Sequence, residues 1–283
     1  MTRSGDALTR LRMYQVDAFA DRLFTGNPAA VIITPAPLPE ALMQSVASEN
    51  NLAETAFAVP TGSDRWDLRW FTPVHEAGFC GHATLATAHT LRTYFDAGEA
   101  LHFETKAGPI PVTFSSEGYV LDLPRHDPQP LTQLPEAIAD IFAGPLVDQF
   151  QNFENYFARL QDCAAVEAFE PDLVRIARLG DRGLVVTAAG DRAAASDGPD
   201  FVSRYFAPGA GIPEDPVTGS THATLVPYWA QQLGRKDLRA YQASQRGGWL
   251  HCSLAQNRVL VRGNAVVFME ADIFVPAHEK AAQ

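Results

Sequence analysis

A single carboxylate interrupts an apolar stretch at Glu54, in Asn51-Leu52-Ala53-Glu54-Thr55-Ala56-Phe57. An acid set among apolar neighbours can hold a proton near neutrality, which suits it to taking a proton from carbon and returning it. Leu52, Glu54 and Ala56 alternate with Ala53, Thr55 and Phe57, so the stretch reads as a strand interior. The plain structural alternative is an edge position or a salt-bridge partner. Cys80-Gly81-His82 reads as the opening of a helix, where N-terminal amides favour a thiolate and disfavour an imidazolium. His82 there can orient a substrate or assist proton transfer; it can equally be a capping or packed histidine. Glu214-Asp215-Pro216-Val217-Thr218-Gly219-Ser220-Thr221 reads as a turn before another helix. Asp215 can accept a hydrogen bond from a substrate amine or hydroxyl, and Ser220 and Thr221 can donate to a carboxylate beside the helix N-terminus. Aspartate, serine and threonine are also ordinary helix-capping residues.

The elements that would position these groups occur twice. Arg69-Trp70-Phe71-Thr72-Pro73 precedes His82-Ala83-Thr84-Leu85, and about 140 positions later Arg204-Tyr205-Phe206-Ala207-Pro208 precedes His222-Ala223-Thr224-Leu225. Each copy reads as strand, glycine-containing turn, then helix start. A repeat this long points to two similar halves rather than a solenoid, whose periods are ~20–50 residues. His222 is expected to pack within its helix. The other histidines, at 75, 89, 102, 126, 251 and 278, have no ligand spacing with carboxylates or thiols.

Strands are expected over 12–17, 29–34, 53–59, 66–72, 101–105, 109–114 and 119–123, with helices over about 39–50 and from Cys80 to about 96. Residues 125–150, rich in Pro and Gln, read as a connection. Beyond it, strands are expected near 154–160, 183–188, 201–206, 238–243, 248–254, 258–262 and 265–271, with helices over 171–179 and up to Leu233. Pro227 falls past the first turn of the last helix and is expected to kink it or cost a hydrogen bond. The halves are thus placed at 1–124 and 150–264, with a strand near 265–275 that can return to the first. The pattern is α+β rather than alternating βαβ.

The net charge of −11 over 283 residues argues against a nucleic-acid or anionic membrane surface. With 46% hydrophobic and 19% charged residues the composition is that of a globular protein with a core. No apolar run approaches the ~18 residues of a membrane span, and residues 1–14 carry no apolar leader-like run, so a cytoplasmic location is expected. Cys80, Cys163 and Cys252 show no paired spacing, so neither a disulfide framework nor a zinc site is expected. P-loop, dinucleotide-fingerprint and serine nucleophile-elbow sequences are absent.

Taken together, the ordered motifs resemble the phenazine-biosynthesis isomerase family (PhzF-like). They are Asp17-Ala18-Phe19, Gly26-Asn27-Pro28-Ala29-Ala30-Val31, Asn51 to Phe57, Arg69 to Pro73, Gly81-His82-Ala83-Thr84, Arg204-Tyr205-Phe206, Glu214 to Ser220 and Ser244-Gln245-Arg246-Gly247-Gly248. The resemblance implies a diaminopimelate-epimerase-like fold: two pseudo-symmetric α+β domains, each a curled, mostly antiparallel sheet around a central helix, with the site between them. It implies a homodimer, no cofactor and no metal. It implies that Glu54 shuttles a proton between two carbons of one substrate, that His82 and Asp215 help bind substrate and move protons, and that Gly81, Gly219 and Ser220 line the pocket.

Cys80 departs from the related two-cysteine racemases. The position opposite it is Thr218 if the turns are aligned by Gly81 and Gly219, or Ser220 if aligned by His-Ala-Thr-Leu, and neither is a thiol. The expectation is therefore a cofactor-independent isomerase of a small unsaturated amino- or hydroxy-carboxylate, similar to trans-2,3-dihydro-3-hydroxyanthranilate isomerase. Glu54, His82 and Asp215 would do the chemistry, and Cys80, Gly81, Thr218, Gly219, Ser220 and Thr221 would bind substrate. Two alternatives stand: an epimerase using Glu54 and Cys80, and a non-catalytic binding protein on the same fold.

Overall fold

The computed structural model describes residues 8–191 and 198–277. His278 and the first seven residues lie outside them. The chain forms two compact units. The first takes the chain up to Ala18, then Pro28–Tyr119 and the chain from Ala265 onward; the second takes Phe19–Asn27 and Val120–Asn264.

The first unit contains β1 (Leu8–Ala18), β2 (Asn27–Ile33), α1 (Glu40–Asn50), β3 (Glu54–Gly62), β4 (Arg65–Phe71), β5 (Glu76–Ala77), α2 (Gly81–Tyr94), β6 (Ala100–Glu104) and β7 (Ile110–Ser115). After β8 (Gly118–Pro124), the second unit contains β9 (Gln129–Pro130), β10 (Asp148–Gln151), β11 (Asn155–Arg159), α3 (Cys163–Glu167), α4 (Leu173–Ile176), β12 (Gly183–Ala189), β13 (Phe201–Ala207), β14 (Ile212–Asp215), α5 (His222–Leu233), β15 (Asp237–Gln242), β16 (Gly248–Leu254) and β17 (Arg258–Gly263). The last strand, β18 (Ala265–Pro276), pairs antiparallel with β1 along the whole of β1, from Leu8 opposite Pro276 to Ala18 opposite Ala265.

One pairing scheme is built twice. In the first unit β2 runs parallel to β3, β3 antiparallel to β4, β4 antiparallel to the short β5 and parallel to β6, and β6 antiparallel to β7. In the second, β11, β12, β13, β14, β15 and β16 repeat those relations in the same order. The repeated arginine does the same job in both. Arg69 on β4 forms a two-pronged contact with Glu76 of β5, each bond 2.7 Å long, and its guanidinium lies over Phe71. Arg204 on β13 grips Glu214 of β14 at 2.7 and 3.0 Å and lies over Phe206. Each arginine thereby folds a short strand back toward the turn that leads into the buried helix.

Those helices are buried on nearly all sides, as central helices must be. In α2 the hydroxyls of Thr84, Thr87 and Thr90 donate to the carbonyls of Cys80, Ala83 and Ala86, so the polar groups of a buried helix are satisfied within it. Pro227 does lie inside α5. The carbonyl that its missing N–H would have paired is that of Ala223, and the backbone N–H of His126 donates to it at 3.0 Å. That replacement bond removes part of the cost of a proline at this position.

Several elements differ from the sequence expectation. Residues 125–150 are not merely a connection: they hold β9 and β10, and Leu134 and Ile138 enter the second unit's core beside Leu184, Val186 and Phe206. The helix expected over 171–179 is one turn, Leu173–Ile176, continued by a 3-10 turn to Leu179. Glu54 opens β3 instead of sitting within it, and Asp215 ends β14 instead of lying in a turn. Strands of two to four residues are too short to show a period of two, which is why β5, β9, β10 and β14 were not expected.

Candidate active site

In the first unit α1 ends at Asn51, which adopts a left-handed conformation (φ 50°, ψ 33°) with its N–H bonded to the Ala47 carbonyl. Asparagine tolerates that region better than most residues, and the reversal it makes brings the chain to Glu54 as the first residue of β3. Cys80, in extended conformation, opens α2 and puts His82 in the first turn. The result is a buried group of three. His82 Nε2 lies 3.0 Å from Glu54 Oε2, with only 5% and 9% of the two side chains exposed. Cys80 Sγ lies 3.5 Å from His82 Nδ1 and 3.9 Å from Nε2.

The electrostatics follow from this packing. Burial, reinforced by the Glu54 charge and only partly offset by His82, pushes the Cys80 thiol up to about 11. Cys80 is therefore a neutral thiol at neutral pH, contrary to the thiolate that a helix N-terminus alone would favour. For His82, burial acts downward, but the negative charges available at Cys80 and Glu54 outweigh it and hold the imidazole well above its ordinary range. With Cys80 neutral, the Glu54 carboxylate is the partner in force near neutral pH.

Glu54, Cys80 and His82 are also the one group of mixed donors, among the described residues, whose ligand atoms lie within 4.8 Å of one another. The thiol sits closer to Nδ1 whereas the carboxylate meets Nε2. Sγ lies within 4 Å of both ring nitrogens, so the three groups form one tight buried cluster around the imidazole.

In the second unit Asp215 is buried and held from several directions. Asn27 Nδ2 donates to Asp215 Oδ1 at 2.7 Å and to the Val217 carbonyl at 2.9 Å, and the Thr218 hydroxyl donates to Asp215 Oδ2. Gln242 accepts from the Thr218 N–H at 2.8 Å and donates to the Asp215 carbonyl at 2.7 Å. Around them, Arg246 donates to the carbonyls of Gly26 and Thr25, Gly26 N–H donates to the Gly247 carbonyl, and Ser244 donates to the Pro216 carbonyl. A side chain at Gly248 would begin 2.3 Å from Val217, so this close approach requires glycine. The motif segments 26–28 and 244–248 thus have a structural use, bracing the Asp215–Thr221 turn.

Leading into α5, the N–H groups of His222, Ala223 and Thr224 are already taken by the carbonyls of Gly219, Ser220 and Thr221. Among the described residues, the amides of Gly219, Ser220 and Thr221 have no such partner, so an anion at this turn would meet those three rather than the first turn of α5. Thr218 is different: both its N–H and its hydroxyl are committed to Gln242 and Asp215. Asn27 and Gln242 are not among the site residues expected from the sequence: Asn27 lies inside the Gly26–Val31 motif, whereas nothing local marks Gln242.

The repeat also shows where the halves differ. Phe71 pairs with Thr55, and its counterpart Phe206 pairs with Leu184. The residue matching Glu54 is therefore Gly183, which pairs with Asn155 as Glu54 pairs with Ala29. The ring of Tyr205 comes within 2.2 Å of where a Gly183 Cβ would be, so it fills the carboxylate's position. The histidines diverge accordingly. His222 donates from Nδ1 to the Thr218 carbonyl at 2.8 Å, its Nε2 has no partner, and burial pushes it down to about 4. It is a neutral, packed imidazole.

The family model described as "Phenazine biosynthesis-like protein" matches residues 16–271. An uncharacterized isomerase of Pseudomonas aeruginosa is 45% identical over 259 residues, covering 91% of this chain and 96% of that one. The human phenazine biosynthesis-like domain-containing protein is 38% identical over 285 residues, covering 93% and 99%. Among solved structures, a phenazine biosynthesis protein of the PhzF family from Enterococcus faecalis superposes with a TM-score of 0.87 at 43% identity, covering 94% of this chain and all of that one. Among the described residues no helix is long and apolar enough to cross a membrane.

Proposed function

Because the chain belongs to the phenazine biosynthesis-like (PhzF) family and has its diaminopimelate-epimerase-like fold, we propose that it is an isomerase in which Glu54 moves a proton between two carbons of one small unsaturated amino- or hydroxy-carboxylate. The observation that carries the reading is the buried Glu54–His82 contact at 3.0 Å, set against Gly183 at the equivalent position of the second half. Glu54 has Gly183 as its counterpart in the second half, and a single base that both removes and returns the proton gives isomerisation. The donor atoms of Cys80 and Glu54 lie within 4.8 Å of one another, which supports this over an epimerase whose two groups work from opposite faces of one carbon.

A lone carboxylate without a metal or organic cofactor can abstract only an activated C–H, so the substrate's acidic carbon is conjugated, as in a dihydroaromatic acid similar to trans-2,3-dihydro-3-hydroxyanthranilate. His82 holds the Glu54 carboxylate in place and answers its change of charge. Asp215 accepts from the substrate's amino or hydroxyl group, and the amides at Gly219, Ser220 and Thr221 take its carboxylate, with Thr218 keeping Asp215 in position. Gly81 and Cys80, at the start of α2, are further substrate-binding residues in this reading. The resemblance also suggests a cytoplasmic homodimer, which sedimentation of the purified chain would test.

The direct test is NMR in D2O with trans-2,3-dihydro-3-hydroxyanthranilate and related unsaturated amino acids, using wild type and Glu54→Gln. Isomerisation or deuterium uptake by wild type should fall by at least ~10²–10⁴-fold in the variant. Activity that survives in Glu54→Gln and disappears in Cys80→Ala would replace this reading with thiol chemistry. No exchange with any compound in the panel would favour a binding protein.

A further inference from the structure

The last strand of the first unit presents a surface for which the proton-shuttle chemistry has no use. β18 is 12 residues long and pairs with β1 along one edge. Along its other edge no strand keeps a comparable pairing, among the described residues. A long edge strand offers a row of unmatched N–H and C=O groups, which proteins blunt with proline, lysine or a bulge. β18 contains no lysine and no proline before Pro276. It has a bulge at Phe268, where the pairing steps from Gln15 opposite Met269 to Val16 opposite Val267. From Met269 onward the strand alternates regularly. Glu270, Asp272 and Phe274 are exposed, whereas Met269, Ala271 and Ile273 pack half-buried on the core.

The residues of this strand form a chemical palindrome. About Ala271, Glu270 mirrors Asp272, Met269 mirrors Ile273, Phe268 mirrors Phe274 and Val267 mirrors Val275. In an isologous two-fold contact residue i meets j and j meets i, so a strand that pairs antiparallel with its own copy needs this symmetry. We infer that β18 pairs antiparallel with β18 of a second copy of this chain, about a two-fold axis at Ala271. The inference rests on the homodimer suggested above and names its surface.

The exposed face selects the register. Centring on Ala271 sets Phe274 of one copy opposite Phe268 of the other and matches apolar residues on the inner face. Moving the centre by one or two residues in either direction sets a phenylalanine against a carboxylate. One pairing is unfavourable by itself, because Glu270 of one copy faces Asp272 of the other. Each copy brings the counter-charge. Arg12 lies 2.8 Å from Glu270 and 3.3 Å from Asp272, and Arg10 lies 3.6 Å from Asp272. The arginines of β1 thus flank the facing acids from both sides of the joined strands.

Sedimentation velocity of the full-length protein at micromolar concentration should show a dimer. Phe274 is 65% exposed, so Phe274→Glu leaves the packing within one chain alone, which circular dichroism would verify. The substitution acts twice per dimer and should raise the dissociation constant on the order of 10–100-fold. Val174→Glu, at a 72% exposed apolar residue of the second unit, should leave it unchanged. In a Cys163→Ser background, a short bifunctional maleimide should join Phe268→Cys to Phe274→Cys when the two variants are mixed. Neither should be joined to itself, because like positions lie roughly 20 Å apart along the joined strands. A dimer that persists in Phe274→Glu, or a mixture that gives no cross-link, would overturn this interface and leave the homodimer standing. A wild-type chain that sediments as a monomer would overturn both. None of these measurements requires a substrate, so they stand or fall separately from the Glu54→Gln exchange experiment.

Discussion

Replacing His222 should make the second half less sensitive to acid. His222 is fully buried, uses Nδ1–H on the Thr218 carbonyl, and has no partner at Nε2, and burial lowers its pKa from 6.5 to about 4. In the unfolded chain the same imidazole titrates at ~6.5. The folded value is the depressed one, so the stability contribution is fully present above pH ~6.5 and is lost as the pH falls toward 4, where the unfolded state binds a proton that the folded state refuses. Linkage over that interval amounts to about 2 kcal/mol by pH ~5 and about 3 kcal/mol by pH ~4. His222→Gln removes the titration while keeping an amide that can donate to Thr218. Its absolute stability at neutral pH is not the readout, because any buried replacement changes packing. The slope is. Urea titrations at several pH values from ~7 to ~4, followed by hydrogen exchange of peptides covering α5, would measure opening of this half. The wild-type curve should fall about 3 kcal/mol further than the variant's over that range. Parallel curves would refute the claim that His222 is held neutral by burial.

His82 should show the opposite dependence. Its folded pKa is raised, so its contribution is complete below pH ~6.5 and is lost as the pH climbs through the folded value; the stability gap between wild type and His82→Gln should be widest in acid and close in alkali. A gap independent of pH would contradict the Glu54–His82 pairing. Asn27→Ala removes two buried hydrogen bonds, one of them to the Asp215 carboxylate. At ~1.5–3 kcal/mol for the bond to a charged group and ~1 kcal/mol for the other, the loss should be about 3 kcal/mol in chemical denaturation. A cost below about 1 kcal/mol would mean that Asp215 finds another donor. In the folded protein at neutral pH, iodoacetamide should label the half-buried Cys163 well before Cys80 or Cys252. Both of those are buried, and burial raises the Cys80 thiol to about 11 and the Cys252 thiol further. Peptide mass spectrometry showing Cys80 labelled as fast as Cys163 would contradict its assignment as a neutral thiol.

Much of this protein is legible along the chain. Apolar runs such as Ala29-Ala30-Val31-Ile32 declare buried strands, and the doubled Arg-aromatic-Phe and His-Ala-Thr-Leu pattern declares two related halves before any coordinate is known. The identities of Glu54, His82 and Asp215 as chemical candidates also come from local pattern, supported by the family resemblance. What local pattern cannot supply is a partner. Asn27 reaches Asp215 across 188 positions, and Gln242 reaches it across 27, because strand pairing and the brace at Arg246 bring those segments together. The clearest case is the pair of histidines. His82 and His222 lie in the same four-residue motif on equivalent helices, yet one is held toward the imidazolium and the other is held neutral. The difference is that Glu54 faces the first, whereas Gly183 and the ring of Tyr205 occupy the matching position of the second half. A histidine's own sequence carries its intrinsic basicity; the charge and water around it are set by strands that reach it only once the chain has folded.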